Sequence, residues 1–206
     1  MNAKSVFNSF YVDLVSMKTK SAILGLAIIV GMSFFNMKSL SFLYLATLIS
    51  LLFLNDEKGM YATNFAPVNK KSSVYGRYMF AFLALALCLA INLLADLTAP
   101  YFYAEYIASN LYFYILISTV FFALVSIQMP LLYWKGYAKV RIFQYIIFVA
   151  VVLFIIKAVG EETLYHFFIA GLSMNTTFAL SLLAASIFLW LCSLFISVKI
   201  YTRKDI

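Results

Sequence analysis

One glutamate pair and the single histidine of the chain stand at a spacing that could hold a metal ion. Glu162 and His166 are one helical turn apart, so on a helix both side chains would lie on the same face. Zinc sites need three or four protein ligands, and no second histidine is present. We therefore favour a solvated outer loop containing Glu161, Glu162 and His166, and predict no catalytic residue and no metal site.

The sequence contains no phosphate-binding loop of the Walker A type. That loop has the pattern GxxxxGK[ST], and the 7 glycines of this chain are too scattered to form it. We therefore expect that this chain does not itself bind ATP in that way and holds no cofactor.

Two polar side chains, Asn92 and Asp96, lie at i and i+4 within an apolar run. Polar groups in membrane helices usually face protein or water. Two interpretations stay open, a place along a translocation path or, for Asp96, a helix end that reaches the lipid headgroups. No charge falls firmly at the middle of a span, where transport coupled to protons or sodium normally needs one.

Polar residues also occur in the following apolar run. We predict that Ser118, Ser126 and Gln128 form hydrogen bonds between helices rather than a substrate site. We also predict that Pro130 kinks this helix near its inner end.

The composition is that of a polytopic membrane protein. The 206 residues are 65% hydrophobic and 11% charged, whereas soluble domains are about a quarter charged. This length allows about six membrane helices and no sizeable soluble domain. Cys88 and Cys192 lie inside apolar stretches, so neither indicates a disulfide or a metal site.

The apolar runs predict an all-α fold, a single transmembrane domain over residues 1–206 with six transmembrane helices. The predicted spans are residues 21–36, 40–54, 77–97, 111–134, 140–159 and 177–201. The helical apolar spacing in residues 1–20 predicts an amphipathic helix in the membrane interface. Residues 163–172 are apolar but too short to span, and predict an external re-entrant or interfacial segment before the last helix.

The basic residues predict the orientation of the chain. With the N-terminus inside, 13 of the 15 lysines and arginines lie on the inner side, and Lys38 and Lys157 lie on the outer side. This is a strong positive-inside bias, so we expect both termini to be cytoplasmic. Because the basic residues lie between apolar runs, the net charge of +7 reflects orientation, and we expect no nucleic-acid partner.

A polar stretch, residues 55–78, follows the second predicted span and is longer than a simple connector requires. Within it Tyr61, Phe65 and Val68 recur at i, i+4 and i+7, one face of a short helix, and Pro67 marks the end of that helix. Two interpretations stay open. The stretch is either a short helix presented to a soluble partner or a polar loop whose aromatic residues rest on the headgroups.

The same stretch carries residues in a family pattern. Residues 56–59 (DEKG), 65–71 (FAPVNKK) and 74–78 (VYGRY) follow the second span directly. In this order they resemble the corresponding segment of ABC-2 type permeases, the small six-helix membrane subunits of bacterial ABC exporters. Asn69 and Lys70 stand where the family pattern has serine and arginine. Within the family the chain resembles the compact permeases that export peptides such as bacteriocins and amphipathic peptide toxins.

The resemblance implies a complex of several subunits. Two permease subunits, identical or related, pair into a pore, and two separate ATPase subunits that bind ATP and Mg²⁺ dock below them. The loop 55–76 is then the coupling helix, and the N-terminal helix adds contact with the same ATPase. The docking residues implied are Asp56, Glu57, Tyr61, Phe65, Pro67, Val68, Lys70, Lys71 and Arg77. We expect the first span, with Gly25 and Gly31, to form the contact between permeases.

The hypothesis is therefore a non-catalytic permease subunit in the bacterial cytoplasmic membrane. It would move amphipathic peptides or another hydrophobic substrate outward, with ATP hydrolysis on the partner ATPase and Asn92 and Asp96 on a possible path. One alternative is a self-contained channel or facilitator that needs no ATPase. A membrane enzyme is disfavoured because the necessary ligands are lacking.

Overall fold

The computed structural model describes four helical regions and several isolated residues of the chain. The described residues are 6–8, 19–35, 38, 41–42, 44–46, 48–49, 70–102, 111–136, 139–140, 142, 146 and 176–203. Within these ranges the regular structure is helical and contains no strand, which confirms the all-α prediction for this part of the chain.

The four long helices correspond to the first, third, fourth and sixth predicted spans. They are α1 (Thr19–Phe34), α2 (Lys70–Thr98), α3 (Leu111–Lys135) and α4 (Thr176–Arg203), and a 3₁₀ turn at Ala99–Tyr101 continues α2. Within the described residues, three stretches are long and apolar enough to cross a membrane, namely Lys70–Tyr101, Phe113–Lys135 and Ala179–Arg203, while Leu24–Phe34 is a shorter apolar helix. The chain is therefore a multi-pass membrane protein.

The other predicted elements are described in part or not at all. Separate residues of the second and fifth predicted spans are helical, among them Ile49 and Val140. Lys38, two residues before the second predicted span, and residues 6–8 near the N-terminus are helical as well. The external segment 163–172, with Glu161 and Glu162 before it, lies outside the described residues. The count of six transmembrane helices and the interfacial N-terminal helix thus stay predictions.

Helix α2 begins at Lys70, earlier than the predicted start of the third span at Arg77. Hydropathy finds only the apolar part of a helix, and the first turns of α2 contain two lysines and two serines. Nothing in that sequence ends a helix, so the helix continues beyond the apolar part. The last residues of the predicted loop 55–76, from Lys70 onward, are therefore helical and continuous with the membrane span.

The buried face of α2 follows a spacing of alternating four and three residues. The positions on it are Val74, Tyr78, Ala81, Leu85, Cys88, Asn92 and Ala95. A repeat averaging 3.5 residues keeps one seam of a helix against its neighbours, as in coiled coils. Helix α3 packs most extensively along α4, and α2 contacts both α4 and α1.

Two ends of the helical bundle can be distinguished. The basic end contains the N-terminus of α2 and the C-termini of α3 and α4, because Tyr133 of α3 contacts both Arg77 of α2 and Tyr201 of α4. The opposite end, here the Asp96 end, contains the C-terminus of α2 and the N-terminus of α3, joined through Asp96 and Tyr114. The basic end is named for the basic residues at these helix ends, which are Lys70, Lys71, Lys135 and Arg203.

A glycine in the left-handed conformation ends α3 at the basic end. Gly136 has φ of 79°, and its N–H donates to the carbonyl of Leu132 at 3.0 Å. This is the αL cap, which satisfies one of the carbonyls left open at a helix C-terminus. The ammonium of Lys135 lies 3.9 Å from the ring centroid of Trp134, a cation–π contact at an exposed position suited to the membrane interface.

Candidate functional site

A buried ion pair joins three segments at the Asp96 end. The carboxylate of Asp96 accepts hydrogen bonds from the ammonium of Lys38 and from the hydroxyl of Tyr114. Only 3% of the Lys38 side chain and 10% of the Asp96 side chain are exposed. A charge removed from water is costly unless it is paired and hydrogen-bonded, so these three groups depend on one another.

Asn92 extends this polar cluster and lies one turn before Asp96 in α2. Its side-chain Nδ2 donates to the carbonyl of Cys88 at 2.8 Å and to Oγ of Ser41 at 3.2 Å. Ser41 in turn donates to the carbonyl of Lys38 at 2.7 Å. Asn92 and Asp96 therefore both face the segment that begins the second predicted span, and their hydrogen bonds hold that segment against α2.

These contacts bear on the two interpretations of Asp96. Asp96 lies two residues before the end of α2, and its described contacts are made within the protein. The contacts of Asp96 link Lys38, two residues before the second predicted span, with α2 and α3. A position on a translocation path stays a prediction for both Asn92 and Asp96.

A second buried polar cluster lies closer to the basic end and joins α2, α3 and α4. The hydroxyl of Tyr78 lies 2.7 Å from Oγ of Ser193 and 2.8 Å from Oγ of Ser197. Ser193 also donates to the main-chain carbonyl of Ser126 in α3 at 2.7 Å. The rings of Tyr78 and Trp190 pack beside this cluster, with centroids 5.5 Å apart.

Arg77 lies one residue before this cluster and is buried, with 1% of its surface exposed. Its guanidinium carbon lies 5.8 Å from the ring centroid of Tyr133, whose ring is 5.1 Å from that of Tyr201. The start of α2 is thus held against the C-terminal parts of α3 and α4.

The predicted docking residues divide into two groups. Lys71 is exposed, Lys70 is half-buried, and Arg77 is buried against α3. Their predicted role in docking remains untested. The other docking residues, Asp56, Glu57, Tyr61, Phe65, Pro67 and Val68, lie outside the part of the chain that the structure describes.

The hydrogen bonds of α3 test the sequence prediction for its polar residues. Gln128 donates to the carbonyl of Ala46 in the second predicted span at 3.0 Å, which confirms its role between helices. The hydroxyls of Ser118 and Ser126 instead donate to carbonyls of α3 itself, those of Tyr114 and Phe122. Ser126 takes part between helices through its main-chain carbonyl, which residue type alone does not reveal.

The described residues include no group of three or more histidine, cysteine or acidic side chains that could hold a metal ion. Glu162 and His166 lie outside those residues. Cys88 and Cys192 are both free thiols. The described helices are joined by hydrogen bonds and by the ion pair of Lys38 and Asp96.

The chain matches a model of a known protein family over nearly its whole length. The family model described as "ABC-2 family transporter protein" matches residues 10–202. No curated protein and no solved structure matches the chain. Since the match covers the described helices and the segments between them, the chain belongs to the ABC-2 transporter family.

Proposed function

We propose that this chain is the permease subunit of an ABC exporter and that a separate cytoplasmic ATPase, which binds ATP and Mg²⁺, drives it. The observation that carries the proposal is the family match over residues 10–202. In this proposal the chain performs no catalysis itself, and residues 55–69 present Tyr61, Phe65 and Val68 to the ATPase as a coupling helix.

The geometry of α2 supports this role for the preceding stretch. Helix α2 is 29 residues long and starts directly after it, so a force on residues 55–69 acts on an uninterrupted helix. The first three turns of that helix hold Arg77 and Tyr78, which contact α3 and α4. Movement that reaches Lys70 would therefore be passed along α2 to α3 and α4.

The substrate class is a narrower part of the proposal. By resemblance to the compact peptide exporters, we propose amphipathic peptides or another hydrophobic substrate moved out of the cell. The alternative, a self-contained channel or facilitator, predicts no ATPase partner. Purification of the tagged chain from its own host in mild detergent, with mass spectrometry of the bound proteins, separates the two. We expect an ATPase at a stoichiometry of one per permease, and its consistent absence would favour the channel.

The orientation can be tested with single cysteines at exposed positions of the described helices. Cysteines replacing Lys71 and Lys139 are expected to resist an impermeant thiol reagent in intact cells, and one replacing Tyr101, which is 86% exposed, is expected to react. Ser73 is unsuitable because it is 6% exposed and would resist labelling on either side. The unmodified chain serves as the blank for Cys88 and Cys192. Labelling of Lys71→Cys in intact cells would reverse the orientation.

Pairing of two permeases can be tested on α1, where the two glycines differ. A Cβ at Gly25 would lie 3.1 Å from Cδ1 of Leu48, so Gly25 already serves close packing within the chain. Among the residues that the structure describes, a Cβ at Gly31 meets no atom within 4 Å, so the described helices leave space for a partner helix there. We expect Gly31→Leu to weaken pairing by about 1–2 kcal/mol without disturbing the fold.

The measurement for Gly31→Leu is the dimer fraction in lipid nanodiscs as a function of protein concentration. Leu26→Phe is the control, since it also adds bulk to α1 but lies about 140° around the helix from Gly31. An unchanged dimer fraction in Gly31→Leu would remove this face of α1 from the interface.

A further inference from the structure

Pro130 creates a gap in the hydrogen bonding of α3. Proline has no N–H, so the helical bond from residue 130 to the carbonyl of Ser126, four residues earlier, cannot form. Inside a membrane no water is present to satisfy such a carbonyl, and a proline in a membrane helix is tolerated where neighbouring helices provide a donor.

Ser193 of α4 provides that donor. Its Oγ lies 2.7 Å from the carbonyl oxygen of Ser126, and the residue is 3% exposed. A serine hydroxyl carries one hydrogen, so once Ser193 donates to Ser126 it can only accept from Tyr78. Tyr78 likewise has one hydrogen and must accept from Ser197. The three hydroxyls therefore form one directed chain, from Ser197 through Tyr78 and Ser193 to the carbonyl of Ser126.

We propose that the Pro130 break is a hinge in α3 and that Ser193 and Tyr78 form a clamp that holds it closed. The part of α3 beyond the break, residues 131–135, carries Tyr133, which contacts Arg77 and Tyr201. With the clamp closed, this last turn of α3 stays aligned with α2 and α4. When the Ser193 bond to Ser126 opens, the last turn is free to tilt relative to the rest of α3.

The clamp is made entirely of contacts within one chain and needs no ATPase partner to form. In the context of the proposed function, it identifies the point at which motion of α2 would reach α3. Tyr78 of the clamp lies next to Arg77 near the start of α2, so rotation of α2 would break or strain the hydroxyl chain first.

The test is a double-mutant cycle of Ser193→Ala and Pro130→Ala, because alanine restores the N–H that proline lacks. Ser193→Ala removes the donor, and amides of residues 131–136 are expected to exchange with deuterium about tenfold faster or more. Pro130→Ala restores an N–H to residue 130, which bonds the carbonyl of Ser126 within the helix. In the Pro130→Ala background, Ser193→Ala is therefore expected to change the exchange by less than about twofold. The full chain in lipid nanodiscs, with no ATPase, is measured by mass spectrometry.

Ser186→Ala is the matched control. Ser186 is on the same helix, is also 3% exposed, and donates to the carbonyl of Leu183 in its own helix, so its loss should not alter exchange at residues 131–136. Tyr78→Phe keeps the ring and removes one link of the chain, and should give a smaller acceleration than Ser193→Ala.

The exchange rates of these variants either support the hinge and clamp or overturn them. Failure of Ser193→Ala to fold, with recovery in the Pro130→Ala background, would support the clamp as fully as the expected exchange rates. An equal effect of Ser193→Ala in both backgrounds would overturn the proposal, and so would no effect from either Ser193→Ala or Tyr78→Phe. None of these results depends on whether the chain binds an ATPase.

Discussion

Replacement of Asp96 by alanine is expected to destabilise the protein by about 3–5 kcal/mol, the range for breaking a buried ion pair by removal of one partner. Lys38 is 3% exposed and would lose the carboxylate with which it forms a buried ion pair. Tyr114 would also lose this acceptor of its hydroxyl, and the link that Asp96 makes between Lys38, α2 and α3 would be broken.

The free energy of unfolding in mixed detergent micelles is the measurement for Asp96→Ala. Leu97→Ala is the control, because Leu97 is the adjacent residue, is 68% exposed, and is expected to have a much smaller effect. Tyr114→Phe should be intermediate, at about 1.5–3 kcal/mol, since it removes one hydrogen bond to a charged group but leaves the ion pair.

A double variant separates the ion pair from the packing around it. Lys38→Met combined with Asp96→Leu removes both charges and leaves neither uncompensated, and exchanges of this kind are often neutral or stabilising. We therefore expect the double variant to be more stable than Asp96→Ala alone. Equal losses in Asp96→Ala and Leu97→Ala would show that the pair contributes nothing specific.

The sequence predicts where most of the membrane helices lie, but it does not predict which side chains of different helices meet. The apolar runs place both ends of α3 and α4, and the C-terminal end of α2, within a few residues of the observed ends, because a membrane span must be apolar over a defined length. The start of α2 at Lys70 is missed, because its polar first turns lie beyond the apolar part that hydropathy detects. Lys38 and Asp96 are 58 residues apart, and no local pattern indicates which lysine a carboxylate in another span will meet.

The proline in α3 gives a clear case of what the sequence could have provided. Pro130 alone implies that the carbonyl four residues earlier, that of Ser126, needs a donor from elsewhere. The identity of that donor depends on how α4 lies against α3, which no single sequence specifies, and Ser193 is 67 residues away from Ser126. The requirement is therefore predictable from local chemistry, while the residue that meets it is known only from the packing.

The second large effect is expected for Phe65→Ala, in the predicted docking residues that precede α2. Phe65 shares one predicted helical face with Tyr61 and Val68, in the polar stretch that precedes α2. If this face enters a cleft on an ATPase, Phe65 is a buried aromatic anchor, and its truncation is expected to cost on the order of 2 kcal/mol or more. That corresponds to about a 30-fold weaker affinity for the ATPase, with transport in liposomes falling in parallel.

The structure provides the controls for Phe65→Ala. Lys71 is exposed at the start of α2, so Lys71→Ala should weaken binding much less, in keeping with the small contribution of exposed charges. Membrane insertion should be intact, which a Tyr101→Cys reporter in the same chain can verify by its labelling from outside. ATP hydrolysis measured together with transport distinguishes lost binding from lost coupling, since a docked but uncoupled ATPase would hydrolyse ATP without transport. Phe65→Ala and Tyr61→Ala could both bind the ATPase and transport as the wild type does. Residues 55–69 would then be only a connector, and the motion produced by the ATPase would reach the membrane helices through other residues.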